Sequence, residues 1–397
     1  LVDWARRSES QSRIEAMIHL AKSEPGVPVR PEELDRDPWL FNCLNGTLDL
    51  RTGALRAHDR EDLLTKIAPV EYVPDAQCPA WLDFLDLVFG GDDDVISFVQ
   101  RAVGYSLTGI TDERVFFILY GEGRNGKTTF LETIAALMGD YAEQTPTETL
   151  LAVNRNSSGI PNDVARLKGA RFVRASEAEH GHRLAEAKVK AMVGGDMISA
   201  RFLRAEWFTF RPMFKLWLST NHRPTARAND TALWDRIRLI PFTKRIESPR
   251  PRREIDAIFR AEFPGILAWA VRGCLEWQRD GLGIAEAVAQ ATDDYRARMD
   301  VVASFLRECC HVREDLSVPC KELYEAFATW ADAKGEWVWS SKAFGQRMNE
   351  LGFVSYRGSG GVWRRWGLTL IDASREEPEP FPALLVAGGN GNGKDPF

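Results

Sequence analysis

The feature that most constrains the fold of this chain is a glycine-rich motif between an apolar run and a helical pattern. Residues 121–128 have the sequence GEGRNGKT and match G-x-x-x-x-G-K-[ST] at every fixed position. The preceding run, 115–120 (VFFILY), is continuously apolar, as is typical of a strand buried on both faces of a parallel sheet. After the motif, Phe130, Ile134 and Leu137 share one helical face. This order of strand, loop and helix predicts a phosphate-binding loop.

The chemistry of the motif favours a nucleoside triphosphate held with Mg²⁺. Glycines let backbone N–H groups face the phosphates, and the N-terminus of the following helix attracts an anion. Lys127 is expected to reach the β- and γ-phosphates, and the Thr128 hydroxyl is expected to ligate Mg²⁺. The sequence therefore predicts a nucleoside triphosphate and Mg²⁺ as ligands, with these binding residues: Gly121, Glu122, Gly123, Arg124, Asn125, Gly126, Lys127, Thr128 and Thr129.

Polar residues follow two further predicted strands, at 171–175 and 214–219. Glu177 and Glu179 come after the first, where a carboxylate can ligate Mg²⁺ and activate the attacking water. Glu177 is the candidate metal ligand, and the division of roles between the two residues stays open. Asn221 comes after the second strand, where an amide can orient that water. The alternatives are two surface glutamates and an ordinary turn asparagine.

A fourth strand is expected at 239–242, and the alternation of strands and helices predicts an α/β fold. Just before it, Arg236 and Arg238 could neutralise the transferring phosphoryl group from a neighbouring subunit. The alternative is an exposed basic strand edge.

The segment between the second and third predicted strands is basic and contains glycines. Lys190, Arg201 and Arg204 lie there and are candidates for contacts with DNA phosphates from a loop or hairpin. The alternative is a surface turn with solvated charges.

The C-terminal part predicts a small winged-helix domain. Helical patterns at 301–310, 321–334 and 341–351 precede a glycine-rich turn at 358–361. Basic side chains on the third helix and beside the turn accompany aromatic residues, a combination that suits phosphate contact and base stacking. The candidate DNA contacts are Lys342, Arg347, Arg357 and Arg364. In the alternative, the aromatics are core and the domain makes protein contacts.

Composition limits the kind of nucleic-acid contact. The formal net charge of the 397 residues is −6, so any contact with DNA must come from local patches rather than from a basic surface as a whole. The six cysteines show no zinc-type spacing, which predicts reduced thiols, and no apolar run reaches the length of a membrane span. The chain begins at Leu1, so an upstream segment is expected.

Together the motifs resemble phage and plasmid primase–helicases, which are superfamily 3 helicases related to the poxvirus type. The resemblance extends over about residues 40–370 and is carried by the ARLKGARFVRASEAE, KAMVGGDMISARF, FKLWLSTNHRP and LWDRIRLIPF runs. Upstream, NGTLDLRTGALRAHDREDLLTK resembles the domain before the ATPase, and downstream SKAFGQRMNELGF resembles the winged helix. Asp235 departs from the family pattern, in which a second arginine is common.

The resemblance implies an AAA+-like ATPase that forms a ring, usually a hexamer, with single-stranded or forked DNA in the channel. It assigns the Walker A roles to Lys127 and Thr128, the Walker B positions to Glu177 and Glu179, and the sensor to Asn221. Arg236 matches the arginine finger, with Arg238 second. No primase signature precedes residue 110, so primer synthesis is expected from an upstream domain or a separate primase.

The expected organisation is an N-terminal α+β domain (1–110), the ATPase core (111–250), a helical extension (251–300), the winged-helix domain (301–371) and a disordered tail (372–397). The expected function is an ATP-dependent replicative DNA helicase in the cytoplasm of a bacterial host. A DNA-remodelling initiator or loader remains the alternative. A GTPase is disfavoured because no NKxD-type motif is present, and a small-molecule kinase is disfavoured because the STNHRP and WDRIRLIPF runs match the ring ATPase.

Overall fold

The computed structural model describes residues 2–152, 162–176, 183–227, 230–247, 250–334, 336 and 338–371. The chain divides into two compact units, residues 1–295 and 296–397. The predicted tail from 372 onward lies outside the described residues. The predicted boundaries at 110 and 250 fall within the first unit and stay predictions.

The first unit begins with two helices, a small antiparallel sheet and two more helices. Its central part alternates strands and helices, and three long helices close it. In chain order, the elements are α1 (Val2–Ser8), α2 (Gln11–Ala21), β1 (Leu40–Cys43), β2 (Gly46–Asp49), β3 (Ala54–Arg56), α3 (Pro79–Phe89), α4 (Asp93–Leu107), β4 (Phe116–Tyr120), α5 (Lys127–Met138), β5 (Ala142–Gln144), α6 (Asn162–Ala165), β6 (Phe172–Ser176), α7 (Glu186–Val193), β7 (Ile198–Ala200), β8 (Phe208–Phe210), β9 (Lys215–Thr220), α8 (Thr231–Trp234), β10 (Ile237–Pro241), α9 (Arg252–Ala261), α10 (Phe263–Asp280) and α11 (Glu286–Arg298).

A five-stranded parallel sheet is the centre of this unit, in the order β10-β4-β9-β6-β5. This confirms the predicted mixed α/β architecture with a parallel sheet. The four predicted strands are present as β4, β6, β9 and β10. The edge strand β5 was not predicted, because its three partly exposed residues are too few to show a periodic pattern.

Aromatic packing fills the space between the sheet and the helices on one face. The ring of Trp217, on β9, stacks 4.2 Å from Phe117 on β4 and lies 5.9 Å from Phe130 on α5. Trp81 on α3 stacks on the other side of Phe130 at 5.6 Å and meets Trp269 of α10 edge-on. One continuous core therefore joins segments that were predicted to belong to three domains.

Two basic side chains, Lys215 and Arg171, are buried where the strands of the sheet begin, next to the C-terminal end of α4. Lys215 Nζ donates hydrogen bonds to the carbonyls of Thr108, Ile110 and Met213. Arg171 donates to the carbonyls of Leu107 and Leu40, at 2.8 and 2.7 Å. A helix C-terminus leaves its last carbonyls without intrahelical partners and carries partial negative charge. Arg171, through Leu107, and Lys215, through Thr108, donate hydrogen bonds to carbonyls at this end of α4.

The second unit packs three helices against a three-stranded sheet in the order β11-β13-β12. Its elements are α12 (Val301–Cys309), β11 (Cys310–Pro319), α13 (Cys320–Ala333), α14 (Ser341–Glu350), β12 (Ser355–Arg357) and β13 (Trp363–Leu370). The three predicted helices are present, and the predicted glycine-rich turn connects the antiparallel strands β12 and β13. β11 was not predicted, because the register shift between Val312 and Ser317 interrupts the alternating pattern of a strand.

The apolar side chains Ile14, Met17 and Ile18 of α2 are exposed. Of the helices in the described ranges, none is long and apolar enough to cross a membrane.

The buried Lys215 predicts a pH-dependent stability. Burial, and next the charge of Arg171, hold the pKa of Lys215 well below its ordinary value. Above that lowered pKa and below the ordinary value, the unfolded chain binds a proton that the folded chain does not. The free energy of unfolding should therefore rise with pH in this window, by up to about 1.4 kcal/mol per pH unit.

Urea unfolding followed by tryptophan fluorescence at pH 7, 8 and 9 measures this dependence. Lys215→Met should lower the slope of this pH dependence, whereas Lys22→Met, a change at an exposed lysine that ends α2, should leave the slope unchanged. Equal pH slopes for the wild type and Lys215→Met would contradict the account.

Candidate functional site

The glycine-rich loop between β4 and α5 is shaped by positions that exclude side chains. A Cβ on Gly121 would lie 2.1 Å from Asn125 Nδ2 and 2.2 Å from the Phe242 carbonyl. Gly126 has φ +87°, and a Cβ there would lie 2.8 Å from Val88 and 2.9 Å from Phe84 on α3. Gly123 and Arg124 also have left-handed φ values. The loop therefore curls tightly before entering α5, as a backbone cradle for an anion requires.

Lys127 is the centre of a hydrogen-bond network within this loop. Its Nζ donates to the Gly121 carbonyl at 2.5 Å, to Asn125 Oδ1 at 3.0 Å and to Asn221 Oδ1 at 2.9 Å. Only 4% of the residue is exposed, and burial lowers the pKa of Lys127 to about 8. The structure thus brings together the two residues that the sequence placed after different strands, the loop lysine and the candidate sensor.

The parallel register explains this meeting. Tyr120, the last residue of β4, pairs with Thr220, the last residue of β9, so Gly121 and Asn221 leave the sheet side by side. Thr128 is exposed at the start of α5, and Glu122, Gly123 and Arg124 form the exposed rim of the loop. The candidate phosphate site therefore lies at the C-terminal ends of β4 and β9, with the buried Lys127 beneath an exposed rim.

Neighbouring segments hold the loop in place. Asn125 Nδ2 donates to the Phe242 carbonyl at 3.0 Å, just after β10, and Ile246 N donates to the Arg124 carbonyl at 2.8 Å. Arg252, the first residue of α9, donates to Thr129 Oγ1 at 3.1 Å and pairs with Glu132 at 2.5 Å. Arg252 was missed in the sequence, because nothing in its local pattern connects it with a loop 123 residues earlier.

The acidic candidates Glu177 and Glu179 lie outside the described residues. Their metal and water-activating roles stay predictions, as does the role of Thr128 as a metal ligand. The preceding strand β6 is parallel to β9, with Ser176 opposite Ser219.

Arg236 and Arg238 lie where the parallel strand β10 begins, whereas the loop lies where the neighbouring strand β4 ends. β10 begins at Ile237, which pairs with Phe116, and ends at Pro241, which pairs with Tyr120. Arg236 donates to the Ala232 carbonyl, and Arg238 donates to the carbonyls of Asp235 and Ile237. At about 3.3 Å per residue, the five-residue strand separates Arg236 from the loop of its own chain by roughly 16 Å.

The basic segment of the first unit contains a hairpin, formed by β7 and β8. Arg204 is exposed in its connection and has φ +63°, and the Arg201 guanidinium lies 4.9 Å from the Trp207 ring. Lys190, on α7, pairs instead with Asp230 at 2.6 Å. Asp230 caps α8, so Lys190 supports the helix that leads to Arg236.

In the second unit, the four candidate DNA residues differ in their surroundings. Lys342 and Arg357 are exposed. Arg364 donates to Ser317 Oγ at 3.0 Å and to the Ser317 carbonyl at 2.8 Å. Arg347 is held between Asp300 at 2.5 Å and Glu350 at 2.9 Å and is only 17% exposed at its side chain.

Aromatic side chains beside these residues are open to solvent. Trp363 and Trp366 on β13 are 57% and 54% exposed, and Tyr356 meets Trp366 edge-on at 5.5 Å. The buried arginine of this hairpin is Arg365, which donates to Asn349 and to the Gly345 carbonyl and so fixes α14 against β13. DNA contact by any of these residues stays a prediction.

Three family models match parts of the chain. A model described as "D5 N terminal like" matches residues 1–90, and one described as "Poxvirus D5 protein-like" matches residues 297–360. A model described as a family of unknown function (DUF5906) matches residues 119–236, the range that contains the loop, Asn221 and Arg236.

Curated relatives come from large DNA viruses. A putative helicase of Acanthamoeba polyphaga mimivirus is 25% identical over 75% of this chain and 33% of its own length. A putative helicase of Frog virus 3 is 25% identical over 76% and 39%, and a putative primase of African swine fever virus is 25% identical over 52% and 22%. The chain therefore spans about a third of the length of its curated relatives.

A solved structure shares the fold. The A-form apo structure of the NrS-1 C-terminal region matches with a TM-score of 0.50 at 9% identity, over 91% of each chain.

The loop geometry predicts unequal costs for two glycine substitutions. Gly121→Ala should lower the free energy of unfolding by about 3 kcal/mol, because its Cβ overlaps Asn125 and the Phe242 carbonyl and breaks their hydrogen bond. Gly123→Ala meets no atom within 4 Å, so only its left-handed φ should cost about 1–2 kcal/mol. Chemical denaturation of the two variants compares these costs, and equal losses would show that Asn125 does not bind Phe242.

Proposed function

We propose that this chain, a primase–helicase family protein, is an ATP-hydrolysing motor that acts on DNA. The matching family models and the viral relatives confirm the resemblance that the sequence motifs indicated. The observation that carries the proposal is the hydrogen bond from Lys127 Nζ to Asn221 Oδ1, which joins the glycine-rich loop to the polar residue that follows the adjacent strand β9.

The residues present fit a nucleoside triphosphate. Gly121 and Gly126 leave no room for side chains and bend the loop, while Gly123 faces open space. The loop leads into the 12-residue helix α5, whose N-terminus favours an anion. Lys127 supplies a cation in a buried setting, where its attraction to a phosphate is screened less than it would be in water.

Each residue then has a distinct task. Lys127 holds the β- and γ-phosphates, and Asn221, within reach of Lys127, orients the attacking water. Thr128 and a carboxylate at Glu177 or Glu179 would hold Mg²⁺, which supplies charge neutralisation at the phosphates when bound. Asn125 keeps the loop closed through its bond to Phe242.

The position of Arg236 supports a site shared between subunits. The sheet separates Arg236 from the loop of its own chain by more than an arginine side chain can reach. An arginine that neutralises the transferring phosphoryl group must therefore serve a neighbouring copy. Arg236 and Arg238 are both partly buried and hydrogen-bonded to backbone carbonyls, so Arg236 is preferred for its match to the family motif. We propose a ring, usually a hexamer, as the assembly that repeats such a shared site.

We propose DNA as the substrate on which the ATPase acts. The curated relatives are named helicases or primases, and exposed arginine and aromatic side chains accompany each other on the β7–β8 hairpin and on the β12–β13 hairpin. Such pairs suit phosphate contact with base stacking. Unwinding distinguishes the helicase from a remodelling initiator or loader. The relatives belong to large DNA viruses, so the phage or plasmid origin and the bacterial host stay predictions.

Replacement of the loop lysine tests the ATPase. Lys127→Ala should abolish DNA-stimulated phosphate release, because the buried cation that holds the phosphates is lost. A coupled phosphate assay with and without single-stranded DNA measures it, and Lys22→Ala at an exposed position serves as the control. Full turnover by Lys127→Ala would remove the basis of the assignment.

Replacement of the proposed finger tests the shared site. Arg236→Ala should bind a fluorescent ATP analogue within about threefold of wild type and lose at least about 10³-fold in turnover. Mixtures of wild-type and Arg236→Ala subunits should lose activity faster than in proportion to the mutant fraction.

Arg279→Ala, at an exposed arginine paired with Asp280, provides the matched control. Mixtures of this variant with the wild type should keep full activity at every ratio. A strictly proportional loss in the Arg236→Ala mixtures, together with weakened ATP binding, would instead place Arg236 in a structural role.

A further inference from the structure

We propose that Tyr295 is a positioning residue that couples the sensor Asn221 of one ATP site to the arginine finger Arg236 of the next. The inference rests on the proposed function, because it assigns those two residues to sites at different subunit boundaries. It adds a physical connection between them within one chain, which neither the motifs nor the relatives assign.

One side of the connection begins at Asn221. Three residues later, the buried carbonyl of Pro224 accepts a hydrogen bond from the Tyr295 hydroxyl on α11. Between them, the Arg223 guanidinium lies 4.3 Å from the ring of Tyr120, the last residue before the glycine-rich loop, and 5.9 Å from the Tyr295 ring. The segment that follows the sensor is therefore held between the loop strand β4 and helix α11.

The other side of the connection leads to Arg236. The buried Trp234, two residues before it, meets the Tyr295 ring edge-on at 4.9 Å and an interplanar angle of 82°. Trp234 Nε1 donates to the Arg227 carbonyl at 2.9 Å, which fixes the indole in that orientation. Tyr295 thus contacts two arms with one side chain. Its hydroxyl binds the sensor arm (residues 221–224), and its ring packs against the finger arm (residues 234–236).

Helix α11 makes the connection stiff. One turn before Tyr295, Thr292 Oγ1 accepts a hydrogen bond from Leu239 N on β10, the strand that follows Arg236. Thr292 in turn donates to the Val288 carbonyl of its own helix. The helix is therefore bound to the edge strand as well as to the two arms, and Tyr295 is fully buried among them.

Close packing gives this arrangement its consequence. A buried contact cannot stretch, so a shift of the Asn221 segment must either move Tyr295 or break its hydrogen bond. Movement of Tyr295 displaces Trp234 and with it the residue that enters the neighbouring site. Occupancy of one ATP site should therefore change the geometry of the adjoining site, which is the origin of cooperativity between subunits.

Steady-state hydrolysis as a function of ATP concentration tests the coupling in the full chain with single-stranded DNA present. Wild type should be sigmoidal. Tyr295→Phe retains the ring against Trp234 but loses the hydroxyl, so it should keep saturated turnover within about twofold while its Hill coefficient falls to about 1. Trp234→Phe, which disturbs the finger side, should give the same change.

Tyr141→Phe is the matched control, because its buried hydroxyl donates to the Lys66 carbonyl far from both arms. It should lose comparable stability and remain sigmoidal. Hyperbolic kinetics in the wild type, or sigmoidal kinetics in both Tyr295→Phe and Trp234→Phe, would overturn the coupling. Absence of any wild-type hydrolysis would instead overturn the proposed function, so the two failures are distinguishable.

Discussion

The parallel pairing of β4 with β9 and β10 decides where each proposed catalytic group lies. All three strands end at one edge, where Tyr120 aligns with Thr220 and Pro241. The glycine-rich loop and Asn221 emerge there together, while the start of β10 places Arg236 at the other edge. A change of register or direction in any of the three strands would separate Lys127 from Asn221, so the chemistry of the site depends on this pairing first.

The loop itself depends on packing from several distant segments. Phe84 and Val88 of α3 leave space only for a glycine at position 126, and the Phe242 carbonyl fixes Asn125. On the opposite edge, Arg171 and Lys215 bind the end of α4 to the sheet through carbonyls. Helices α3 and α4 are thus structural parts of the candidate site, in agreement with the single core that they share with the sheet.

Local patterns predicted much of this molecule, and long-range pairing accounts for what they did not. The strand–loop–helix order around residues 121–128 and the main parallel strands followed from apolar runs and glycine chemistry. The partners of charged side chains did not follow, because Lys190 meets an aspartate 40 residues away and Arg347 one 47 residues away. Short or irregular strands such as β5 and β11 also lacked a periodic signal. The roles of the acidic pair after β6 remain predictions from the motif alone.

The central claim is that the ATP site is completed by a second subunit, and the oligomeric state tests it most directly. Sedimentation velocity of the full chain, alone and with a non-hydrolysable ATP analogue and single-stranded DNA, should show assembly into a closed oligomer, expected to be a hexamer, when both ligands are present. Strand displacement assayed in parallel separates a helicase from a loader. A chain that stays monomeric with both ligands while hydrolysing ATP at a rate per subunit independent of protein concentration would contradict the shared site.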